Sequence, residues 1–280
     1  MGVVLPVIGP AFRIGVQPLE AENWLVVSDQ LNAYRAEKAK LIANRFEEVF
    51  AAEPETHDAQ TETLERITGF TSAKLGFDIP ICPAGAPPLQ HAARHIEDDL
   101  ILMRKGETGW RLAAGSLCFP SSWRLRDKFG HPMDVVHGTV PGFGTGTRNA
   151  TIIARMFDTL ALDTPVIRAN WSIYPDNALH HPGSHGEPIR EFELDRPIIN
   201  QGYFRSERQT LTKLPISGDI LFTIRIGVEP LTLTVARGDG LKLAAALRQM
   251  NEHERRYKGM LAAADRLADE LEVAQLSMCS

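Results

Sequence analysis

Two pairs of strand-like runs, each joined by a short turn, constrain the fold of this chain most. The first pair is "DLILMR" and "WRLAAGSLCF", joined by "KGETG", and the second is "GYFRSERQTLTKL" and "DILFTIRIGV", joined around "PISGD". Runs of this kind, separated by a few residues that include Gly, Pro or Asp, indicate β-hairpins. Because a hairpin joins antiparallel neighbours, the sequence predicts a mainly antiparallel sheet, to which "PVIRANWSIY" adds a further strand.

Helical patterns lie on either side of these strands. Apolar residues recur on one helical face between residues 28 and 54, and a second helix is predicted over residues 56–68. Further helices are predicted in "PPLQHAARHIEDD" and "TRNATIIARMFDTLAL", and a long C-terminal helix over residues 240–271. Helices first, then strands with a helical insertion, then a terminal helix: this order predicts an α+β fold.

Charge and composition argue against several classes of function. The 280-residue chain has a formal net charge of -5 and a pI near 6.0, so it has no overall attraction for nucleic acid or anionic lipid. No apolar run reaches the roughly 18 residues of a membrane helix. Cys82, Cys118 and Cys279 form no CxxC pair, which favours a reducing compartment. We expect a cytoplasmic protein that binds neither nucleic acid nor membrane.

Several motifs that could carry chemistry are incomplete. The glycines of "GFGTGTRNA" are too closely spaced for a dinucleotide fingerprint, which favours a flexible loop over a site. His91 and His95 have the spacing of a helical metal pair, but Ala92 stands where a metalloprotease carries its glutamate, so two solvated histidines are expected. No GxSxG elbow is present, and Cys118 lies in an apolar run where packing is expected. A loop cluster of histidines is expected at the surface: His180, His181 and His185.

The unusual feature of the sequence is charge within the strand-like runs. Polar and charged residues interrupt these runs at Arg168, Asn170, Arg205, Glu207, Arg208 and Arg225. A charged group in a sheet must be paired or must face water, because desolvating it alone is costly. Two interpretations stay open. In the first, the charges are structural: an internal glutamate pairs with the arginines, or the charged side chains lie on an exposed face of the sheet. In the second, these side chains converge on an anionic ligand such as a carboxylate or phosphate.

Several blocks of the chain resemble one family. "LCFPSSWRLRDKFGHPMDVVHGTVPGF", "RANWSIYP" and "RSERQTLTKLPISGDILFTIRIGVEPL" are similar to the signature blocks of the haem-dependent oxidative N-demethylases, as are "FRIGVQPLEAENWL" and "EDDLILM". The resemblance covers roughly residues 12–235. We therefore expect residues 1–280 to form a single haem-binding domain with a core at about 12–235 and a helical tail at about 240–271.

The resemblance implies a PAS-like fold in which an antiparallel sheet and helices enclose haem b, with the iron held by a histidine. It implies that O2 is activated at the haem, with electrons from NADPH passing through FMN and an iron-sulfur cluster in separate reductase subunits. The known enzyme of the family demethylates dimethylamine, so the implied reaction is oxidative N-demethylation of a small secondary amine with release of formaldehyde. The alternatives are a haem-binding PAS-type sensor or carrier without turnover, and a family member that has lost haem.

A haem needs arginines for its propionates and apolar contacts across its plane. On this basis the resemblance implies cofactor-binding roles for His137, Arg168, Asn170, Trp171, Arg205 and Arg208, and catalytic roles for Arg225 and Glu207. Glu207 would orient an arginine or bind the ammonium of the substrate.

His137 is the expected iron ligand. It and His131 are the two histidines within a family block, and His137 follows two valines and precedes a loop rich in Gly and Pro. His131 is expected to be a structural turn residue. The histidines between residues 180 and 185 are the second source of a ligand.

Overall fold

The computed structural model describes residues 8–9, 12, 15–183 and 192–278. Two positions discussed above, His185 and Cys279, lie outside the described residues. The predicted α+β class is confirmed: a seven-stranded antiparallel sheet forms the centre of the described chain, and helices cover both of its faces.

The sheet has the order β1-β5-β6-β7-β3-β4-β2, and every pairing in it is antiparallel. The strands are β1 (Gln17–Pro18), β2 (Phe50–Ala52), β3 (Asp99–Gly106), β4 (Gly109–Ser116), β5 (Val166–Tyr174), β6 (Tyr203–Lys213) and β7 (Ile220–Pro230). Both predicted hairpins are present, as β3–β4 and β6–β7. The β6–β7 turn contains Gly218 at a φ of 74°, a conformation that glycine adopts without strain.

The α-helices of the described residues vary widely in length. They are α1 (Leu31–Asn44), α2 (Phe46–Val49), α3 (His57–Phe70), α4 (Pro88–Arg94), α5 (Met133–Val136), α6 (Arg148–Thr159), α7 (Leu231–Ala236), α8 (Gly240–Gln249), α9 (Glu252–Tyr257) and α10 (Ala264–Ser277). The helix predicted in "TRNATIIARMFDTLAL" is α6. It begins after Thr147, whose side chain accepts a hydrogen bond from the backbone N–H of Ala150 at 3.2 Å.

Two helix predictions were wrong in extent. The helix predicted up to Pro54 ends at Asn44, and residues 50–52 instead pair with β4, because strand pairing satisfies their backbone groups. The long C-terminal helix is broken into separate helices. Asn251 caps α9 in a capping box with Glu254, and Gly259 follows α9 at a φ of 67°, so the chain changes direction at both points.

The two faces of the sheet carry separate parts of the core. On the front face, β3, β6 and β7 present apolar side chains such as Ile101, Leu211 and Ile224, which pack with α1 and α6. On the back face, α3 and α4 pack on one half of the sheet, and α7, α8 and α10 pack on the other. Within the described ranges, no helix is long and apolar enough to cross a membrane.

Candidate functional site

A cavity of ≈ 210 Å³ lies between the front face of the sheet and the segment that contains α5 and α6. Aliphatic and aromatic side chains form most of its wall: Ile101, Met103, Leu112, Phe143, Ile153, Phe157, Leu211, Phe222 and Ile224. A cavity with an apolar wall and a few polar groups is the usual form of a small-molecule or cofactor site.

The register of β5 and β6 places four polar side chains together in the wall of this cavity. Arg168 pairs with Gln209, and Asn170 pairs with Glu207. Because alternate residues of a strand face the same side, all four lie on the front face. We call these four residues the polar quartet. Among the described residues that line the cavity, Glu207 is the one carboxylate.

Two predicted site residues, Arg208 and Arg225, lie on the back face of the sheet, directly opposite each other. The Arg225 guanidinium forms a buried ion pair with Glu97, with Nε 2.8 Å from Oε2. Arg208 donates to the backbone carbonyls of Asn23 and Trp24. The structure therefore does not bring these two arginines to the cavity, because a one-residue step along a strand reverses the face.

Arg205 and Trp171 also have other partners. Arg205 is on the front face, but its guanidinium donates to Ser121 Oγ and to backbone carbonyls of residues 119–120 and 178–179, so it holds two loops in place. Trp171 is on the back face with Phe204, and its Nε1 donates to the Gly9 carbonyl at 2.9 Å. Neither residue lines the cavity.

His137 directly follows α5 and lines the cavity. Its Nδ1 is buried and has no hydrogen-bond partner among the described residues. Burial, with a further contribution from the charges of Arg168 and Lys128 and a smaller opposing effect of a backbone hydrogen bond with Met133, lowers the pKa of His137 to about 4. The imidazole is therefore neutral at pH 7, which is the form that binds metal ions.

None of the other described histidines lines the cavity. His131 is exposed in a turn, as predicted. His91 is buried rather than solvated, since its Nε2 lies 2.8 Å from the Pro80 carbonyl and its ring contacts His95. His180 Nδ1 lies 2.7 Å from the Cys118 carbonyl, and its Nε2 is buried without a partner. Within the described ranges, no three His, Cys, Asp or Glu residues are grouped closely enough to hold a metal ion.

Lys258 lines the cavity from the segment after α9 and was not predicted from the sequence. It is 8% exposed, and its Nζ donates to the Trp171 carbonyl, to Asn170 Oδ1 at 3.1 Å and to Ser172 Oγ at 3.4 Å. Burial lowers the pKa of Lys258 to about 8, while Glu207 opposes and Arg168 adds to this effect. A lysine in a helical, charged tail carries no sequence signal for such a position.

The cavity wall carries more positive than negative charge. Burial lowers the pKa of Arg168, and no described residue forms a hydrogen bond with its Nε. Within the described part of the chain, neither Arg168 nor Lys258 forms an ion pair with a carboxylate, whereas the buried Lys38 and Arg225 each do. Buried cations without a paired anion are costly, so the cavity is suited to a ligand that brings negative charge.

Comparison with known families agrees with these features. The family described as haem-dependent oxidative N-demethylase, alpha subunit-like, matches residues 70–268, which include β3 to α9 and every residue of the polar quartet. The chain belongs to this family. The suspected resemblance is thereby confirmed, and the family description indicates an oxidoreductase that depends on haem. No curated protein matches the chain.

The residues of this N-demethylase family member fit a haem. The apolar wall suits the porphyrin plane, and the neutral His137 provides an imidazole whose Nδ1 has no other partner. Arg168 offers an unpaired guanidinium to a propionate, and Lys258 adds positive charge beside it. The cavity therefore has both kinds of contact that the cofactor requires.

Proposed function

We propose that this chain is the haem-binding subunit of an oxidative N-demethylase that acts on a small secondary amine such as dimethylamine. The observation that carries the proposal is the neutral imidazole of His137, whose buried Nδ1 has no hydrogen-bond partner among the described residues, in the apolar cavity of a chain from this family. In the reaction, dimethylamine, O2, two electrons and two protons give methylamine, formaldehyde and water. We also propose that the sheet and its helices form a PAS-like fold.

His137 is the proposed ligand of the iron of haem b, and Arg168 the proposed partner of a propionate. Burial is the main cause of the low pKa of His137, and the charge of Arg168 lowers that pKa further, so Arg168 helps to keep the imidazole neutral. Asn170 acts through Lys258, since its Oδ1 accepts a hydrogen bond from Lys258 Nζ. The proposed site does not include four of the predicted residues, which have other partners: Arg205, Arg208, Arg225 and Trp171.

When bound, haem supplies the activation of O2 for oxidation of the N-methyl group. The residues of the chain have supporting tasks. Phe143, Phe157 and Phe222 help to exclude water from the reacting groups. Glu207, the one carboxylate among the described residues of the cavity wall, binds the ammonium form of the amine and holds it in place.

Electrons must enter from outside this chain. The description "alpha subunit-like" supports the proposal that other subunits work with it. We propose reductase subunits that carry FMN and an iron-sulfur cluster and take electrons from NADPH. A cytoplasmic location is part of the same proposal, because NADPH is a cytoplasmic reductant.

The test supplies the haem-loaded protein with a chemical reductant, O2 and a panel of methylated amines, and measures formaldehyde. Release of formaldehyde from a secondary amine supports the proposal. A red protein that releases none across the panel would instead be a haem sensor or carrier. Glu207→Gln is expected to raise the KM for the amine at least tenfold, because it removes the charge that binds the ammonium.

A further inference from the structure

We propose that Gln209 sets the amine specificity of the cavity by acting with Glu207 as a pair of hydrogen-bond acceptors for a protonated amine. That the ligand is an amine rests on the proposed function. That the two side chains form an acceptor pair rests on their contacts alone.

The orientation of the Gln209 amide is fixed by its neighbour. Gln209 Nε2 donates to Glu207 Oε2 at 2.6 Å. A carboxylate only accepts hydrogen bonds, so Gln209 must present its NH2 group to Glu207 and its Oε1 on the other side. This oxygen is buried, and no described residue donates to it.

Glu207 supplies a second acceptor, its Oε1, which is not enclosed as Gln209 Oε1 is. Its Oε2 is occupied by Gln209, and no hydrogen bond within the described chain occupies Oε1. Both residues line the cavity, and each is 7% exposed. A buried acceptor such as Gln209 Oε1 is normally paired, so the site suits a ligand that brings N–H donors to this oxygen and to Glu207 Oε1.

The cations nearby do not fill this role. Lys258 Nζ makes its three hydrogen bonds to Asn170, Trp171 and Ser172. The Arg168 guanidinium lies opposite Gln209 in the strand register, yet its Nε also has no partner. The two acceptors are therefore left for a bound molecule.

Two acceptors discriminate among amines by the number of their N–H groups. A primary or secondary ammonium has at least two N–H donors and satisfies both oxygens. A tertiary ammonium has one, and a quaternary ammonium has none. Because an unpaired buried acceptor is penalised, the pair favours primary and secondary amines, while the apolar wall contacts their alkyl groups.

The test incubates the protein with haemin and then measures the binding of dimethylammonium, trimethylammonium and tetramethylammonium chloride by calorimetry. The wild-type protein is expected to bind dimethylammonium about tenfold more tightly than trimethylammonium, the effect of one hydrogen bond to a charged group. Tetramethylammonium is expected to bind most weakly. Gln209→Met should remove most of the tenfold preference, whereas Ser206→Ala, on the same strand but the opposite face, should keep it.

Equal binding of the first two amines by the wild-type protein would overturn the proposal, as would a Gln209→Met variant that keeps the full preference. The comparison of the two amines on the wild-type protein needs no variant, so it still tests the proposal if Gln209→Met folds poorly. The haem absorbance of the same samples separates this inference from the proposed function. A red protein without the preference contradicts the acceptor pair alone, and a colourless protein that has the preference contradicts only the proposed function.

Discussion

Arg168 and Gln209 face each other across β5 and β6, and each has one buried polar atom that lacks a hydrogen-bond partner in the described chain: Nε of Arg168 and Oε1 of Gln209. A donor and an acceptor that are adjacent in register and both unpaired indicate a site that a ligand completes. The ligand that fits has an anionic group for Arg168 and an N–H donor for Gln209. A haem propionate and a protonated amine together meet this requirement.

Replacing Arg168 is expected to raise the pKa of His137. Arg168→Met removes a positive charge that lowers the pKa of His137, so that pKa rises from about 4 towards 6.5, although burial still holds it below 6.5. NMR titration of the histidine side chain in the haem-free protein measures this change. Arg155→Met, an exposed position on α6, is the matched control and should leave the titration unchanged.

The stability of the haem-free protein is expected to depend on pH through His137. Its pKa in the folded state is about 4, below the value of 6.5 for an unperturbed histidine, so the unfolded chain takes up the proton first as the pH falls. The contribution is fully present above pH 6.5 and is lost as the pH falls towards 4. Urea unfolding at several pH values should show a shallower loss for His137→Asn than for the wild type. Parallel curves for the two proteins would refute this origin of the pH dependence.

The ion pair between Arg225 and Glu97 on the back face is expected to support stability. Arg225→Leu leaves Glu97 buried without its partner, and such a change costs about 3–5 kcal/mol of the free energy of unfolding. The absorption spectrum of bound haem should stay as in the wild type, because the front face is untouched. A changed haem spectrum together with wild-type stability would indicate that Arg225 does belong to the haem site.

Lys258 is expected to fasten the C-terminal helices to β5. Lys258→Met leaves the Trp171 carbonyl and Asn170 Oδ1 without a donor, which costs about 1–3 kcal/mol of the free energy of unfolding. Lys242→Met, at an exposed position on α8, is the control and should change stability little. Equal unfolding curves for the two variants would show that the Lys258 contacts contribute nothing.

The sheet could be predicted from the sequence because its signals are local. Both hairpins and the helix capped by Thr147 follow from turn residues and periodicity over short stretches. The boundaries that failed depend on distant contacts. The sequence of residues 50–52 continues a helical pattern, but these residues form a strand because they pair with the edge of β4.

The site could be predicted only in part. His137, Arg168, Asn170 and Glu207 line the cavity, and each stood out by its chemistry in an apolar run. Arg208 and Arg225 are charged residues in apolar runs as well, but they lie on the other face of the sheet. The sequence shows that side chains alternate between two faces, but it does not show which face borders the cavity. Gln209 and Lys258 were missed because their importance lies in contacts with Glu207, Asn170 and Trp171, which only the folded chain provides.

The central claim is that haem binds in this cavity with His137 as its ligand, and titration of the haem-free protein with haemin, followed by absorption spectroscopy, tests it most directly. The wild type is expected to bind one haemin with a shifted Soret band. His137→Ala should lose that binding or change the ligation spectrum, whereas His131→Ala, at an exposed turn, should match the wild type. A wild-type protein that takes up no haemin, or a His137→Ala variant with the wild-type spectrum, would contradict the account.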